Sequence, residues 1–359
     1  MNEKWIVTGG CGFLGSNLAA SLLESGIDVV VLDTLVRLGA DQNLAWLQEK
    51  ARRPGSGRFV HVRADTRSRT DVDDAFERHA PGVTAVAHLA GQVAMTTSIE
   101  RPRNDFEVNA LGAINVLEAI RRFAPGVLAM FSSTNKVYGD LASVRAVEGE
   151  TRWTLPDHPR GLDERAPLDF QSPYGCSKGA ADQYFLDYHR IFGLRTVVLR
   201  HSSIYGGRQF ATYDQGWVGW FCGETLRQKA EAARGEEPRR FTISGDGKQV
   251  RDLLHADDLI ACYRTIAAGP ERAIGRAFNI GGGMENSLSL LELFGELERL
   301  TGRRPAFERL PWRVSDQRVF VADVGAATAA FGWRPRVSRD EGLRRMLEWV
   351  GSTQREPRG

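Results

Sequence analysis

Cysteine, lysine and long apolar runs are scarce in this sequence of 359 residues. The four cysteines, Cys11, Cys176, Cys222 and Cys262, show neither a Cys-x-x-Cys pair nor histidine partners at metal-ligand spacing. This pattern predicts reduced thiols in a cytoplasmic protein without a metal site. The apolar runs are too short for a membrane span, and a net charge of +2 gives no reason to expect nucleic acid or membrane as a partner.

A glycine-rich turn follows the first apolar run. It contains Gly9, Gly12 and Gly15, and a helical pattern begins directly after it. Such a turn lets the backbone approach a pyrophosphate, which then binds at the positive N-terminal end of the helix. Asp33 ends the second predicted strand, where its carboxylate can accept a hydrogen bond from an adenosine ribose and repels a 2′-phosphate. The sequence therefore favours NAD over NADP, although the nearby Arg37 leaves NADP open.

The order of predicted elements gives the fold class. Short apolar runs alternate with helical patterns, which is typical of an α/β fold with a doubly wound, Rossmann-type parallel sheet. We expect an NAD-binding domain over residues 1–200, joined by a returning segment of about residues 245–280. Residues 201–244 and 281–359 would form a smaller, mixed α/β C-terminal domain for the substrate. Residues 140–171 form a long polar stretch that we expect to be a flap over the site.

Tyr174 and Lys178 lie four residues apart, after a proline that suits the first turn of a helix. On a helix this spacing places the phenol and the ammonium on one face. Because a nearby cation favours the phenolate, Lys178 is expected to lower the pKa of Tyr174 and make it a proton acceptor near neutral pH. Only six of the 47 basic residues are lysines, and arginine cannot usefully share a proton. A lysine at position 178 therefore indicates a functional role.

Hydroxyl side chains end the fifth predicted strand, in the segment Ser132-Ser133-Thr134. Ligands of open α/β sheets bind in the crevice at the carboxyl ends of the strands. We therefore place Thr134 against a sugar oxygen.

These motifs, in this order, resemble the extended short-chain dehydrogenase/reductases that modify nucleotide sugars, and the resemblance covers nearly the whole chain. Within that family the sequence is most similar to the epimerases that invert C2 of CDP-sugars. The near-identical stretches are residues 90–99, 131–141, 173–184, 200–221 and 316–323. The resemblance implies NAD that stays bound, a nucleotide-diphosphate sugar as the substrate, and a homodimer or homotetramer.

The resemblance also implies a mechanism and a set of site residues. Tyr174 would take a proton from a sugar hydroxyl as hydride passes to NAD, Lys178 would hold the nicotinamide ribose, and Thr134 would bond the reacting oxygen. Reduction of the transient 2-ketone on its other face would complete the epimerisation. The implied cofactor-binding residues are Gly9, Gly12, Phe13, Leu14, Gly15, Asp33, Asp65, Leu89, Ala90, Gly91, Asn109, Ser132, Tyr174 and Lys178. The implied substrate-binding residues are Gln92, Thr97, Asn135, Lys136, Ser203, Arg208, Gln209, Arg251, Arg313 and Gln317.

The sequence departs from the wider family just after Thr134. Sugar 4,6-dehydratases carry an acidic pair at the positions of Asn135 and Lys136, so the loss of water lacks its acid and base here. Ser203 replaces the family's usual asparagine, as it does in the 2-epimerases. The reaction implied is CDP-paratose to CDP-tyvelose, or CDP-glucose to CDP-mannose. An epimerase acting at another carbon or on a UDP-, GDP- or dTDP-sugar stays open, as does an NAD-binding sensor without turnover.

Overall fold

The structure is a computed structural model that describes residues 3–313 and 315–353. Its strands are β1 (Lys4–Thr8), β2 (Asp28–Leu32), β3 (Phe59–Val62), β4 (Val83–His88), β5 (Leu128–Thr134), β6 (Val147–Glu148), β7 (Trp153–Thr154), β8 (Arg195–His201), β9 (Ser203–Tyr205), β10 (Phe241–Ser244), β11 (Val250–His255), β12 (Arg276–Ile280), β13 (Ser287–Ser289), β14 (Phe307–Leu310) and β15 (Val319–Phe320). Its helices are α1 (Phe13–Glu24), α2 (Ala40–Ala51), α3 (Arg69–His79), α4 (Met95–Glu100), α5 (Pro102–Phe106), α6 (Gly112–Phe123), α7 (Ser172–Phe192), α8 (Trp217–Ala233), α9 (Ala256–Ala268), α10 (Leu290–Thr301), α11 (Gly325–Phe331) and α12 (Arg339–Thr353).

The large sheet is parallel throughout and has the strand order β3-β2-β1-β4-β5-β8-β12. Its inner strands are apolar and buried along nearly their whole length, as expected for a sheet covered on both faces. Helices α1, α2, α9 and α11 contribute to the core on one face, and α3, α6 and α7 to the core on the other. The predicted Rossmann-type fold is thereby confirmed.

A smaller unit is built around β11, which pairs with β9, β13 and β15. Strands β10 and β14 form a separate parallel pair, and α8, α10 and α12 pack into a shared apolar core. Of the segment 245–280 that was expected to return to the large sheet, α9 and β12 lie there, whereas β11 belongs to the smaller unit. A short apolar strand carries no sequence signal for the sheet it joins. No helix in the described ranges is both long and apolar enough to cross a bilayer.

Candidate active site

A cavity of about 900 Å³ runs along the carboxyl ends of the central strands and continues into the smaller unit. One half is lined by the glycine turn after β1 and by residues that follow β2, β3 and β4. The other half is lined by residues of the smaller unit, and Tyr174 and Lys178 are also in the wall. This is where open α/β sheets bind their ligands.

The glycine turn fits a pyrophosphate because side chains have no room there. Gly9 has a φ of +67°, and a Cβ atom on it would lie 2.7 Å from the Cα of Ala90. A Cβ atom on Gly15 would lie 2.2 Å from the carbonyl oxygen of Gly9. Helix α1 begins directly after Gly12, and no side chain caps its first N–H groups. The turn therefore brings bare backbone and a positive helix end to the cavity.

Two carboxylates line the cavity beyond the glycine turn. Asp33 follows β2 and accepts hydrogen bonds from the backbone N–H groups of Cys11 (2.9 Å) and Leu35 (2.8 Å). Asp65 follows β3, and its hydrogen bonds with the Arg67 guanidinium hold the pKa of its carboxyl below the usual range. Both positions suit the hydroxyls of an adenosine, so this half of the cavity has the donor and acceptor set that NAD requires.

The residues predicted to be catalytic come together at one point of the cavity wall. Tyr174 and Lys178 lie on the first turns of α7 and are 8% and 3% exposed. The Tyr174 hydroxyl is hydrogen-bonded to Thr134, the last residue of β5. The Lys178 ammonium donates to the carbonyl oxygen of Ser132 and lies 4.3 Å from the ring centroid of Phe131.

The expectation that Lys178 lowers the pKa of Tyr174 is wrong for this structure. Burial raises the pKa of Tyr174 to about 12. The hydrogen bond from Thr134 lowers this pKa by less, and the charge of Asp105 raises it slightly further. Burial likewise lowers the pKa of Lys178 to about 7. Helical spacing predicts that the two groups share a face, but it carries no information on how far each is removed from water.

Residues 6–346 match the family model described as GDP-mannose 4,6 dehydratase. The CDP-paratose 2-epimerase of Salmonella typhi is 54% identical over 349 residues, which cover 97% of this chain and 99% of that protein. The chain belongs to this family of short-chain dehydrogenase/reductases. The resemblance inferred from the motifs is thus confirmed.

Two solved structures of similar proteins align with nearly the full length of this short-chain dehydrogenase/reductase. The UDP-glucose 4-epimerase of Thermus thermophilus, in complex with NAD, has a TM-score of 0.77 and 29% identity and covers 97% of this chain and 99% of its own. The UDP-glucose 4-epimerase of Thermotoga maritima, with UDP-glucose, has a TM-score of 0.78 and 28% identity and covers 98% and 99%.

Most of the residues predicted for the substrate lie in the cavity wall. They are Gln92, Thr97, Asn135, Lys136, Ser203, Arg208, Gln209, Arg251 and Arg313. Arg208 lies towards α2, where its guanidinium donates to Asn43 (2.7 Å) and to the carbonyl oxygen of Gln42 (3.0 Å). Arg251 and Arg313 lie instead on the smaller unit, so this dehydrogenase/reductase presents separate basic groups to the two halves of its cavity.

Two residues predicted for the site, Gln317 and Asn109, do not line the cavity. Both are buried and lie behind the cavity wall. Gln317 accepts a hydrogen bond from the Asn135 amide (2.9 Å) and so orients a wall residue. Asn109 accepts from the backbone N–H of Gln92 (2.9 Å) and donates to its carbonyl oxygen (3.0 Å), which holds the turn after β4. Sequence patterns indicate that such amides lie near a site. They do not show whether the amide lines the cavity or holds a lining residue in place.

Asn109 is held by an irregular part of its helix. Residues Glu107–Leu111 form a π-helical turn between α5 and α6. Single π-helical turns are often found at functional sites, because they turn a side chain out of the regular helical face.

The expected flap over the site is also a correction. None of residues 140–171, all of which the structure describes, lines the cavity. The stretch packs against the smaller unit, where the backbone N–H groups of Trp153 and Leu162 donate to the carbonyl oxygens of Lys248 (3.0 Å) and Val321 (2.8 Å). Scattered apolar residues of this stretch pack against the smaller unit. They are too few to stand out in a segment that is polar overall.

A Gly15→Ala variant tests the glycine turn. Because the added Cβ would meet the Gly9 carbonyl at 2.2 Å, we expect the purified protein to lose its bound NAD by at least about tenfold in occupancy. Occupancy is measured by absorbance after denaturation. The matched control is Gly295→Ala, where a Cβ atom meets nothing within 4 Å. Full NAD occupancy in a folded Gly15→Ala protein would contradict this assignment.

The pKa of Lys178 predicts a pH dependence of stability in nucleotide-free protein. Burial lowers this pKa to about 7, whereas a lysine in an unfolded chain has a pKa of about 10.4. Between these values the unfolded state binds more protons, so the cost of burying Lys178 is full below about pH 7 and falls as the pH rises. Relative to Lys178→Met, the wild type should gain about 1 kcal/mol of unfolding free energy per pH unit between about pH 7.5 and 9.5.

Thermal denaturation of both proteins across this range measures the effect. Lys229→Met serves as the control, because Lys229 is exposed on α8. A gap between wild type and Lys178→Met that does not change with pH would show that the ammonium is not desolvated.

Proposed function

We propose that this protein is an NAD-dependent epimerase that inverts C2 of a CDP-sugar, in a reaction of the CDP-paratose to CDP-tyvelose type. CDP-glucose to CDP-mannose is the related conversion. The observation that carries the proposal is the 54% identity, over nearly the full length of both proteins, to a CDP-paratose 2-epimerase. The meeting of Thr134, Tyr174 and Lys178 at one cavity supports it.

The wall next to Thr134 favours epimerisation over dehydration. Asn135 and Lys136 occupy the two positions after Thr134, and both line the cavity. A carboxamide neither gives nor accepts a proton near neutral pH, so these two positions cannot supply both the acid and the base that remove water from a sugar. Epimerisation needs only one proton acceptor, which Tyr174 provides.

The residues that would hold NAD follow the cavity from one end to the middle. The glycine turn would take the diphosphate, Asp33 and Asp65 the adenosine, and Ser132 with Lys178 the nicotinamide ribose. When bound, NAD supplies a reversible hydride acceptor and a positive charge, which favours the phenolate form of Tyr174.

The protein's own residues then move the proton and hold the sugar. Thr134 fixes the Tyr174 hydroxyl, which accepts the proton of the sugar hydroxyl and later returns it. The buried wall keeps water from the transient 2-ketone, so the sugar can be reduced on its opposite face before it leaves. No net oxidation results, and the nucleotide stays bound between turnovers.

Proton NMR of the purified protein tests this proposal directly. CDP-paratose and CDP-glucose are incubated in parallel, with no cofactor added. We expect conversion of CDP-paratose to its C2 epimer. Inversion at another carbon, or turnover of UDP-, GDP- or dTDP-sugars only, would contradict the assignment. Bound NAD with no turnover of any of these sugars would instead favour a sensor.

We further propose a cytoplasmic homodimer or homotetramer. The four cysteines are unpaired in the described chain, as is usual for cytoplasmic proteins. Large apolar side chains are exposed on α5, on the turn before α6 and at the end of α7, namely Phe106, Leu111, Ile191 and Phe192. Light scattering of the purified protein measures the mass, and a monomer would contradict the proposal.

A further inference from the structure

Lys136 presents an ammonium group to the cavity beside the catalytic residues. It lies in the 3₁₀ turn Asn135–Tyr138 that follows β5, two residues after Thr134. Its side chain is 18% exposed, and its backbone N–H donates to the Thr134 hydroxyl (3.2 Å). An ammonium has three N–H donors. Within the described part of the chain, Nζ makes one contact, at 3.4 Å to the carboxylate of Asp316. Donor capacity is therefore left for an oxygen in the cavity.

Lys136 belongs to a charged cluster in the substrate half of the cavity. Asp316 also accepts a hydrogen bond from Arg251 (2.7 Å), and Arg313 lies close enough to stabilise the Asp316 carboxylate. All four side chains line the cavity. Three cations facing one carboxylate leave an excess of two positive charges, which matches the charge of a sugar-linked diphosphate. Sequence reasoning did not single out Asp316, because its partners lie 65 and 180 residues away.

C2 chemistry on a nucleotide sugar requires a phosphate-binding cation close to Thr134. The diphosphate is attached to C1, and C2 is the adjacent ring carbon, whereas C4 lies across the ring. An enzyme that oxidises C2 must hold the sugar-linked phosphate beside its proton acceptor. One that oxidises C4 holds that phosphate a ring's width away. Lys136 shares a turn with Thr134 and lines the same cavity as Thr134 and Tyr174, so its ammonium can reach a phosphate on that side of the cavity.

We propose that Lys136 binds the sugar-linked phosphate of the substrate and thereby positions C2 against Thr134 and Tyr174. This inference rests on the proposed function and assigns to Lys136 the placement that C2 chemistry needs. Arg251 and Arg313 hold the remainder of the diphosphate. Asp316 keeps the three cations together, since without it they would repel one another.

Burial of the cluster supports the assignment. Burial lowers the pKa of Lys136 to about 8, Asp316 acts in the opposite direction, and Arg251 and Arg313 lower it further. A buried cation with one long contact is poorly compensated, so an anionic oxygen at this point would be bound strongly.

The test compares two ligands that differ by one phosphate. Calorimetric titration of NAD-loaded protein with CDP and with CMP measures both dissociation constants, in wild type and in Lys136→Met. We expect the variant to bind CDP about 10- to 100-fold more weakly, the effect of losing one charge-assisted hydrogen bond. CMP, which lacks the second phosphate, should bind equally well to both. Lys229→Met is the control, and both affinities should be unchanged.

Each other outcome overturns the inference in a different way. Unchanged CDP affinity in Lys136→Met would mean that the ammonium does not touch this phosphate. An equal loss for CDP and CMP would show a general disturbance of the cavity. If wild-type protein binds neither cytidine nucleotide, the CDP-sugar assignment fails first, and the UDP and UMP pair then tests Lys136 independently of it.

Discussion

Tyr174→Phe is expected to lower kcat by about 1,000-fold or more while bound NAD is retained. The variant removes a single oxygen, the one that Thr134 holds in the cavity wall. General acid–base catalysis by one group is worth about 100- to 10,000-fold, and Tyr174 is the group that the proposed mechanism uses to accept the proton of the sugar hydroxyl. The rate is measured by NMR of the epimer formed, and NAD by absorbance of the denatured protein.

Tyr184→Phe is the matched control for this prediction. Tyr184 lies on the same helix, α7, and is 46% exposed, so its hydroxyl should contribute nothing to kcat. Activity within about tenfold of wild type in Tyr174→Phe would remove Tyr174 from the mechanism. It would then favour the interpretation of the protein as an NAD-binding sensor.

Lys178→Met should reduce kcat by about 100-fold or more and also weaken the retention of NAD. The proposed function assigns Lys178 to the nicotinamide ribose, so loss of its ammonium should weaken the hold on NAD and misplace the nicotinamide for hydride transfer. Lys178→Met should therefore lose both activity and bound NAD, whereas Tyr174→Phe should lose activity and keep its NAD. The measurements are the NAD content of the purified protein and kcat with NAD added in excess.

Lys178→Arg should not rescue the activity. The lysine ammonium packs between the Phe131 ring and the Ser132 carbonyl, and a Cβ atom on Gly91 would already lie 3.7 Å from it. A planar guanidinium needs more room and shares its proton far less readily. Wild-type turnover in the arginine variant would show that any cation suffices at this position.

Local signals in the sequence predict several of the residues that meet in the cavity wall. The glycine turn and Asp33 follow from strand–turn–helix spacing, and Tyr174 with Lys178 follows from the i, i+4 relation on α7. Each depends on residues that are near in sequence and on rules of backbone geometry. The parallel sheet follows in the same way from alternating strands and helices.

What the sequence does not predict depends on contacts between distant segments. Gln317 and Asn135 are hydrogen-bonded although they lie 182 residues apart in the chain. No local pattern shows that Asn135 lines the cavity while Gln317 holds it from behind. The pKa of Tyr174 depends on burial by the whole fold, which outweighs any neighbouring charge. Strand β11 is equally ambiguous in sequence, because its pairing partners lie before and after it in the chain.

The central claim is that the sugar is oxidised and reduced at C2 by a hydride that never leaves the protein. The most direct test is to run the reaction on CDP-paratose in D₂O, without added cofactor, and to examine the product by proton NMR. We predict a C2 epimer that carries protium at C2, because the hydride removed from that carbon is the one returned to it. Deuterium at C2, or inversion at any other carbon, would contradict this mechanism.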